Sequence, residues 1–274
     1  MRARGGRGMA RARAGARDWE RYGLGVGCLV LPLAVWEIVP RLVTLPRGAK
    51  LFFAMPSQIV VALYRLVESG EFQGHFAVSA AEFLLGLGLS IVVGLPLGLL
   101  LGRFKTLDDL LDPYVTSFNA TPRIVWLPLL ILWFGIGIWS KVVIVFIGAV
   151  FPLLINTYEG VRNADRVLVN VVRSFGGREW QVMKVVVLPN ALPYIVAGLR
   201  LAIGRAILGV VVGEFFGASR GLGYMIASAA SGYRADVMFA GVLVFMALSL
   251  GLTLSVKALE TRLTRWRPQA TKTF

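Results

Sequence analysis

The chain has 274 residues, 57% of them hydrophobic and only 16% charged, with a mean hydropathy of +0.71 and a formal net charge of +14. A soluble domain of this size needs more charge to cover its surface, and several apolar runs reach the ~20 residues that cross a bilayer as helix, so the composition is that of an all-α, polytopic membrane protein. The basic excess lies in loops and tails rather than in a soluble domain interleaved with aromatics, which excludes a nucleic-acid function, and the single cysteine, Cys28, excludes an intrachain disulfide and a cysteine metal cluster.

Residues 1–21 hold seven arginines among Ala and Gly and read as a disordered cytoplasmic tail. The apolar run over residues 22–39 is followed by no small-residue cleavage site and reads as a retained first span. Next, MPSQIVVALYRLVESGEF places Ile59, Val60, Leu63, Leu66 and Val67 on one helical face behind a Pro-Ser start, which predicts an amphipathic helix on the outer surface. In the second span, about residues 77–101, Gly86, Ser90, Gly94, Gly98 and Gly102 recur every four residues. They form a stripe of small residues that lets helices approach closely where lipid removes the hydrophobic drive. Glu82 extends that stripe and is expected to face protein. The third span lies within TPRIVWLPLLILWFGIGIW, interrupted by Pro122 and Pro128. The fourth covers residues 142–157 and contains Pro152, the fifth runs over about 194–216 and the sixth over 237–256. No internal repeat is found, which disfavours an inverted-repeat secondary transporter.

Six spans with the N-terminus inside put 20 Lys and Arg on cytoplasmic segments, including residues 103–123, and 7 on outer segments, Lys141 among them. Arg200 and Arg205 fall in span five. The bias orients the chain with both termini in the cytoplasm.

The segment RNADRVLVNVVRSFGGREWQVMKVVVLPNALP then lies in the cytoplasm. Val167, Leu168, Val171, Val172 and Phe175 share a helical face. Gly176-Gly177 supplies the left-handed residue that ends a helix, and a second short helix carrying Trp180, Met183 and Val187 is expected to stop at Pro189. Two amphipathic helices meeting at a glycine corner make a knob longer than an ordinary connection, of the kind that docks a partner.

This segment resembles the cytoplasmic coupling loop, the Glu-Ala-Ala loop, of ABC importer permeases, whose signature glycine matches Gly176 and whose closing Leu-Pro matches Leu188-Pro189. The triplet itself departs, with Asn170-Val171-Val172 in its place. LPLLILWFGIGIWSKV, FPLLINTYEGVRN, LPNALPYIVAGLRLAIGRAILGVVVGEF and SRGLGYMI resemble, in order, the recurrent segments of the sulfonate, taurine and nitrate subfamily. The resemblance implies a type I importer permease fold: a tail over residues 1–21, a six-helix domain over 22–274 and a coupling loop over about 162–190. It implies that Arg173, Ser174, Phe175, Gly176, Gly177, Glu179, Trp180, Leu188 and Pro189 engage a cytoplasmic ATPase. It further implies a second copy of the permease, an extracytoplasmic solute-binding protein and a bacterial inner-membrane location. ATP and magnesium would be bound by the partner, since this chain has no Gly-rich phosphate loop ending in Gly-Lys-Ser/Thr and no cofactor is expected on it.

Ionisable side chains within spans need a reason. Glu37 sits near the outer end of span one, within reach of headgroups. Glu82 is expected to pair with a neighbouring helix, a span-five arginine being one partner. Arg200 is placed to snorkel to the cytoplasmic side. Arg205 lies deeper, and Glu214 is nine residues further on. Together Arg205, Glu214 and Glu82 are candidates for the substrate path, with neutralisation of the bundle interior as the open alternative. His75, the one histidine, has no catalytic or metal-ligand company and reads as interfacial. The outer GASRGLGYMIASAASGYRAD promises a short helix over residues 224–230, either dipping between spans or docking the binding protein. The best reading is a permease for a small anion of the sulfonate, taurine, nitrate or bicarbonate class. A thiamine-precursor pyrimidine importer and an ion-coupled transporter using Glu82 and Glu214 are the alternatives. A membrane-embedded enzyme is disfavoured by the absence of a catalytic cluster.

Overall fold

The computed structural model describes residues 27–28, 30–42 and 52–263. The tail expected over residues 1–21 and the beginning of the first span lie outside them. The described chain is helical throughout its ordered elements: α1 (30–42), α2 (Pro56–Glu68), α3 (Glu71–Arg103), α4 (Lys105–Ala120), a 3₁₀ turn (Arg123–Trp126), α5 (Leu127–Phe134) and α6 (Ile138–Arg162). Then come α7 (Arg166–Ser174), α8 (Glu179–Val182), a π turn (Met183–Val187), α9 (Leu188–Gly217), α10 (Leu222–Ser231) and α11 (Ala235–Leu263).

The glycine stripe of α3 lies against α6. A Cβ on Gly86 would come 2.5 Å from Val145 Cγ1, one on Gly98 2.6 Å from the Leu154 carbonyl oxygen, and one on Gly102 2.6 Å from Val161 Cβ. Ser90 keeps the same face and donates its hydroxyl to Gly86 O at 2.8 Å and Phe146 O at 3.2 Å. Backbones this close leave no room for larger side chains and gain dispersion contacts where lipid supplies no hydrophobic drive.

These contacts also fix direction. Numbers rise together along the α3–α6 seam, so the two helices are parallel. On the other side of α6, Gly160 meets Ala191, Gly198 meets Pro152 and Gly213 meets Lys141, so α9 is antiparallel. A parallel α3 and α6 require the chain between them to return across the bundle. That return is α4 with the 3₁₀ turn and α5, bent by 91° at Thr121-Pro122. The segment 103–123, expected as a cytoplasmic loop, is therefore mostly helix belonging to a broken crossing. Pro122 has no N–H to continue α4, and the residue before a proline is pushed out of helical geometry, as Thr121 is at ψ 128°. Among the described residues four helices are long and apolar enough to span a membrane, five if the bent pair counts as one span. The sixth expected span falls on α1, whose start is outside the described residues. The core fills the space between α3, α6 and α9 with Leu87, Ile144, Val145, Leu153, Ala202 and Val210.

The outer helices differ from expectation in detail. α2 buries Ile59, Ala62 and Leu66, while Val60 and Val67 are exposed, because the α10–α11 wall covers a narrower stripe than the apolar pattern suggested. Glu37 does not simply reach for headgroups. It accepts hydrogen bonds from Ser57 N–H (3.0 Å) and Ser57 Oγ (2.7 Å) and pairs with Arg41, capping the start of α2.

The fifth span departs most. Pro189 does not stop the preceding helix: α8, the π turn and α9 form one 39-residue rod from Glu179 to Gly217. Leu188 N–H bonds back five residues to Met183 O. This wider turn immediately before the proline accommodates the missing donor and ring that would break a regular α-helix.

Candidate functional site

Three groups of side chains gather at different depths. The first is the knob on the end of the bundle where α3 and α6 finish. Asp165 opens α7 by accepting from Val167 N–H at 2.8 Å. The helix closes with Gly176 at φ +78°, Gly176 N–H bonding to Arg173 O and Gly177 N–H to Val172 O, each at 2.9 Å. This is the two-bond Schellman closure, and each glycine is needed for its own reason. Gly176 supplies the positive φ in open space. A Cβ on Gly177 would sit 2.6 Å from the Val172 carbonyl oxygen.

Glu179 then ties the knob to the spans. It accepts from Arg173 Nε at 3.0 Å and pairs with Arg103 at the end of α3. Val182, Val187 and Ala191 bury against Val161, and Val169 and Val172 pack onto them from α7. Val172, expected to share one face with Val167, Leu168, Val171 and Phe175, parts from them and turns inward. Val167, Leu168 and Val171 stay exposed, with Phe175 at 87% and Trp180 at 72%. Ser174 bonds back to Val171 O at 2.9 Å, and the rod passes through a half-exposed Leu188 and Pro189. An apolar patch of this kind on a rigid protrusion marks a protein contact.

The second group surrounds the bend in the broken crossing. Arg205 opens onto a cavity of about 340 Å³ together with Arg123, Asn119 and Thr121. Arg123 Nη1 donates to the backbone oxygen of Arg205 at 3.4 Å, so the 3₁₀ turn is held against the middle of α9. Neither guanidinium has a carboxylate partner among the described residues. The pairing of Glu82 with a span-five arginine does not occur. Arg123, read from the sequence only as a loop residue, is the addition the structure makes. Arg200, expected to snorkel, pairs instead with Glu260 on α11.

The third group is buried. Glu82 and Glu214 are 2% and 1% exposed and face each other and Lys141, and neither lines the arginine cavity. Lys141, counted on an outer segment, is 1% exposed and donates to the carbonyls of Ile136, Gly137 and Gly217. The last of these is the carbonyl end of α9, where a cation is favoured. Glu214 accepts from Ser79 Oγ at 2.5 Å and from Gly223 N–H, and Gly221 and Gly223 wrap it so tightly that a Cβ on Gly221 would overlap its carboxylate. His75 has a structural contact: its Nδ1 accepts from Gly221 N–H at 3.0 Å. The group therefore fastens the start of α10 to α3 and α9. Its chemistry is that of an interior joint, with one oxygen of Glu82, Oε2, left without a hydrogen-bond partner among the described residues.

The sequence pattern of the binding-protein-dependent transport system inner membrane component family matches residues 94–265. The chain is 36% identical to a putative aliphatic sulfonates transport permease protein of Bacillus subtilis, over 90% of each chain. It is 33% identical to the taurine transport system permease protein of Escherichia coli over 89% of each. It is 32% identical to the formylaminopyrimidine transport permease protein of Halalkalibacterium halodurans, over 86% of this chain and 92% of that one. Among solved structures, the inward-facing MetNI methionine ABC transporter shares the fold at a TM-score of 0.63 and 22% identity, covering 70% of this chain and 95% of its own.

Proposed function

The chain belongs to the family of binding-protein-dependent transport system inner membrane components, and we propose that two copies of it form the translocation path for a small anionic solute of the sulfonate, taurine, nitrate or bicarbonate class. The observation that carries the charge preference is the Arg123–Arg205 cavity: two guanidinium groups at mid-depth with no carboxylate partner among the described residues. A cation held at membrane depth needs an anion or water, and a path for oxyanions supplies both in turn. ATP hydrolysis comes from a partner seated on Val167, Leu168, Phe175 and Trp180, and an extracytoplasmic binding protein delivers the solute to the α2–α10 end.

Uptake of labelled taurine, an alkanesulfonate, nitrate, bicarbonate and formylaminopyrimidine in a deletion strain with and without the restored chain tests the reading. Restored uptake of an anion is expected; restoration of the uncharged pyrimidine alone would overturn the charge preference. The basic bias of the sequence supports a cytoplasmic location for both termini and the knob. A reporter fused after Gly160 should accordingly register inside, and an outside signal would reverse the orientation.

A further inference from the structure

Behind α7, on the side away from its exposed apolar face, lies a second basic cavity of about 320 Å³. Arg103 and Arg162 come to it from the ends of α3 and α6, and Arg166 and Arg173 from α7. Two carboxylates meet these four guanidiniums. Glu179 is shared by Arg103 and Arg173, and Asp108 takes Arg162 at 3.0 Å. Asp165 is turned to the Val167 N–H instead, and Arg166 has no ion pair among the described residues. Two positive charges are left over in one concave site.

The depth of the site says what kind of anion meets it. Arg103 and Arg162 are the last residues of two long apolar helices, so the cavity opens at the level where spans leave the hydrocarbon and phosphate groups begin. Guanidinium forks match phosphate oxygens in geometry, and each basic side chain near such a surface strengthens binding about five-fold. Val182 and Val187 give the cavity an apolar floor suited to the part of a ligand beyond its phosphate.

We propose that this cavity is a binding site for a phosphate-bearing anion, which fastens α7 to the ends of α3 and α6. A phospholipid headgroup and a free phosphate share the required chemistry, and they can be separated.

The test uses the full chain in phosphatidylcholine nanodiscs, reading its Tm as phosphatidylglycerol is added to the lipid or, separately, as inorganic phosphate replaces chloride at matched ionic strength. An anion that binds the folded chain raises Tm with concentration. A response to phosphatidylglycerol identifies a headgroup, and a response to inorganic phosphate identifies a soluble ligand. Arg166→Gln, which breaks no ion pair, should weaken the apparent affinity about five-fold, and with Arg162→Gln added about 25-fold. Lys257→Gln with Arg262→Gln, on α11, should leave it unchanged. No response to either probe overturns the proposal, as does an equal loss in the α11 pair, which would reveal unspecific surface charge.

Discussion

Gly176→Val is expected to leave the protein in the membrane at normal abundance while substrate-stimulated ATP hydrolysis by the assembled transporter falls about ten-fold or more. The reasoning is local. Gly176 stands at φ +78° with nothing within 4 Å of the site a Cβ would take, so the substitution creates no clash and acts on the backbone alone. A left-handed conformation costs an ordinary L-residue roughly 1–2 kcal/mol, and more for a β-branched one. Relief comes from abandoning the two closing hydrogen bonds to Arg173 O and Val172 O, after which α7 no longer meets the rod at a fixed angle. Phe175 and Trp180 then lose their common aim, and a contact that must transmit force becomes a loose one. A loss of ~1.4 kcal/mol from the aligned state corresponds to the ten-fold effect. Gly176→Ala, strained but not β-branched, should fall between wild type and Val. Normal stimulation in the Val variant would remove α7 from the coupling route.

Much of this knob is legible in the sequence, because its signals are local. A run with apolar residues on one helical face, two glycines and a new amphipathic turn can be read within twenty residues. Pro189 misleads for a physical reason: the rule that proline ends a helix presumes regular α hydrogen bonding, and the π turn before Leu188 relaxes it. The glycine stripe of α3 is equally visible, since a repeat of four places Gly86, Gly94 and Gly98 on one face whatever they touch. The identity of the partner helix is a long-range fact that no periodicity encodes.

Charged residues are the least legible. Counting basic residues to orient a membrane protein treats each as exposed, and Lys141 breaks that premise by ending on three carbonyls that converge only in the fold. The stripe puts Glu82 against protein, where it is 2% exposed, yet its neighbours are Glu214 and Lys141 rather than an arginine. His75 and Ser79, which hold the start of α10, lie about 140 residues from their partners and carry no motif. Arg123 carries no local signal, because the bend that brings it to Arg205 turns on Thr121-Pro122, whose consequence for direction depends on α3 and α6 being parallel.

Arg205→Gln is expected to reduce uptake about ten- to hundred-fold while the amount of assembled transporter, the affinity of the binding protein and the basal ATP hydrolysis stay at wild-type levels. Arg205 lies 12 residues beyond Pro193 in α9, roughly 18 Å along the helix, at a depth where solvation of a charge is poorest. It forms no ion pair among the described residues, neither Glu82 nor Glu214 pairs with it, and Glu214 is held by Ser79 and the Gly223 N–H, so removing its charge strands no buried carboxylate. A hydrogen bond to a charged group contributes about 1.5–3 kcal/mol, which sets the size of the loss for an anion passing the cavity. Glutamine keeps most of the bulk and one donor, so the cavity should hold its shape. Arg123→Gln should reduce uptake in the same direction, and the double variant should lose less than the product of the two single effects, because both groups face one anion. If Arg205→Gln instead lowers the amount of folded complex, or if uptake is unchanged with complex at normal levels, the arginine belongs to the scaffold and the solute passes elsewhere.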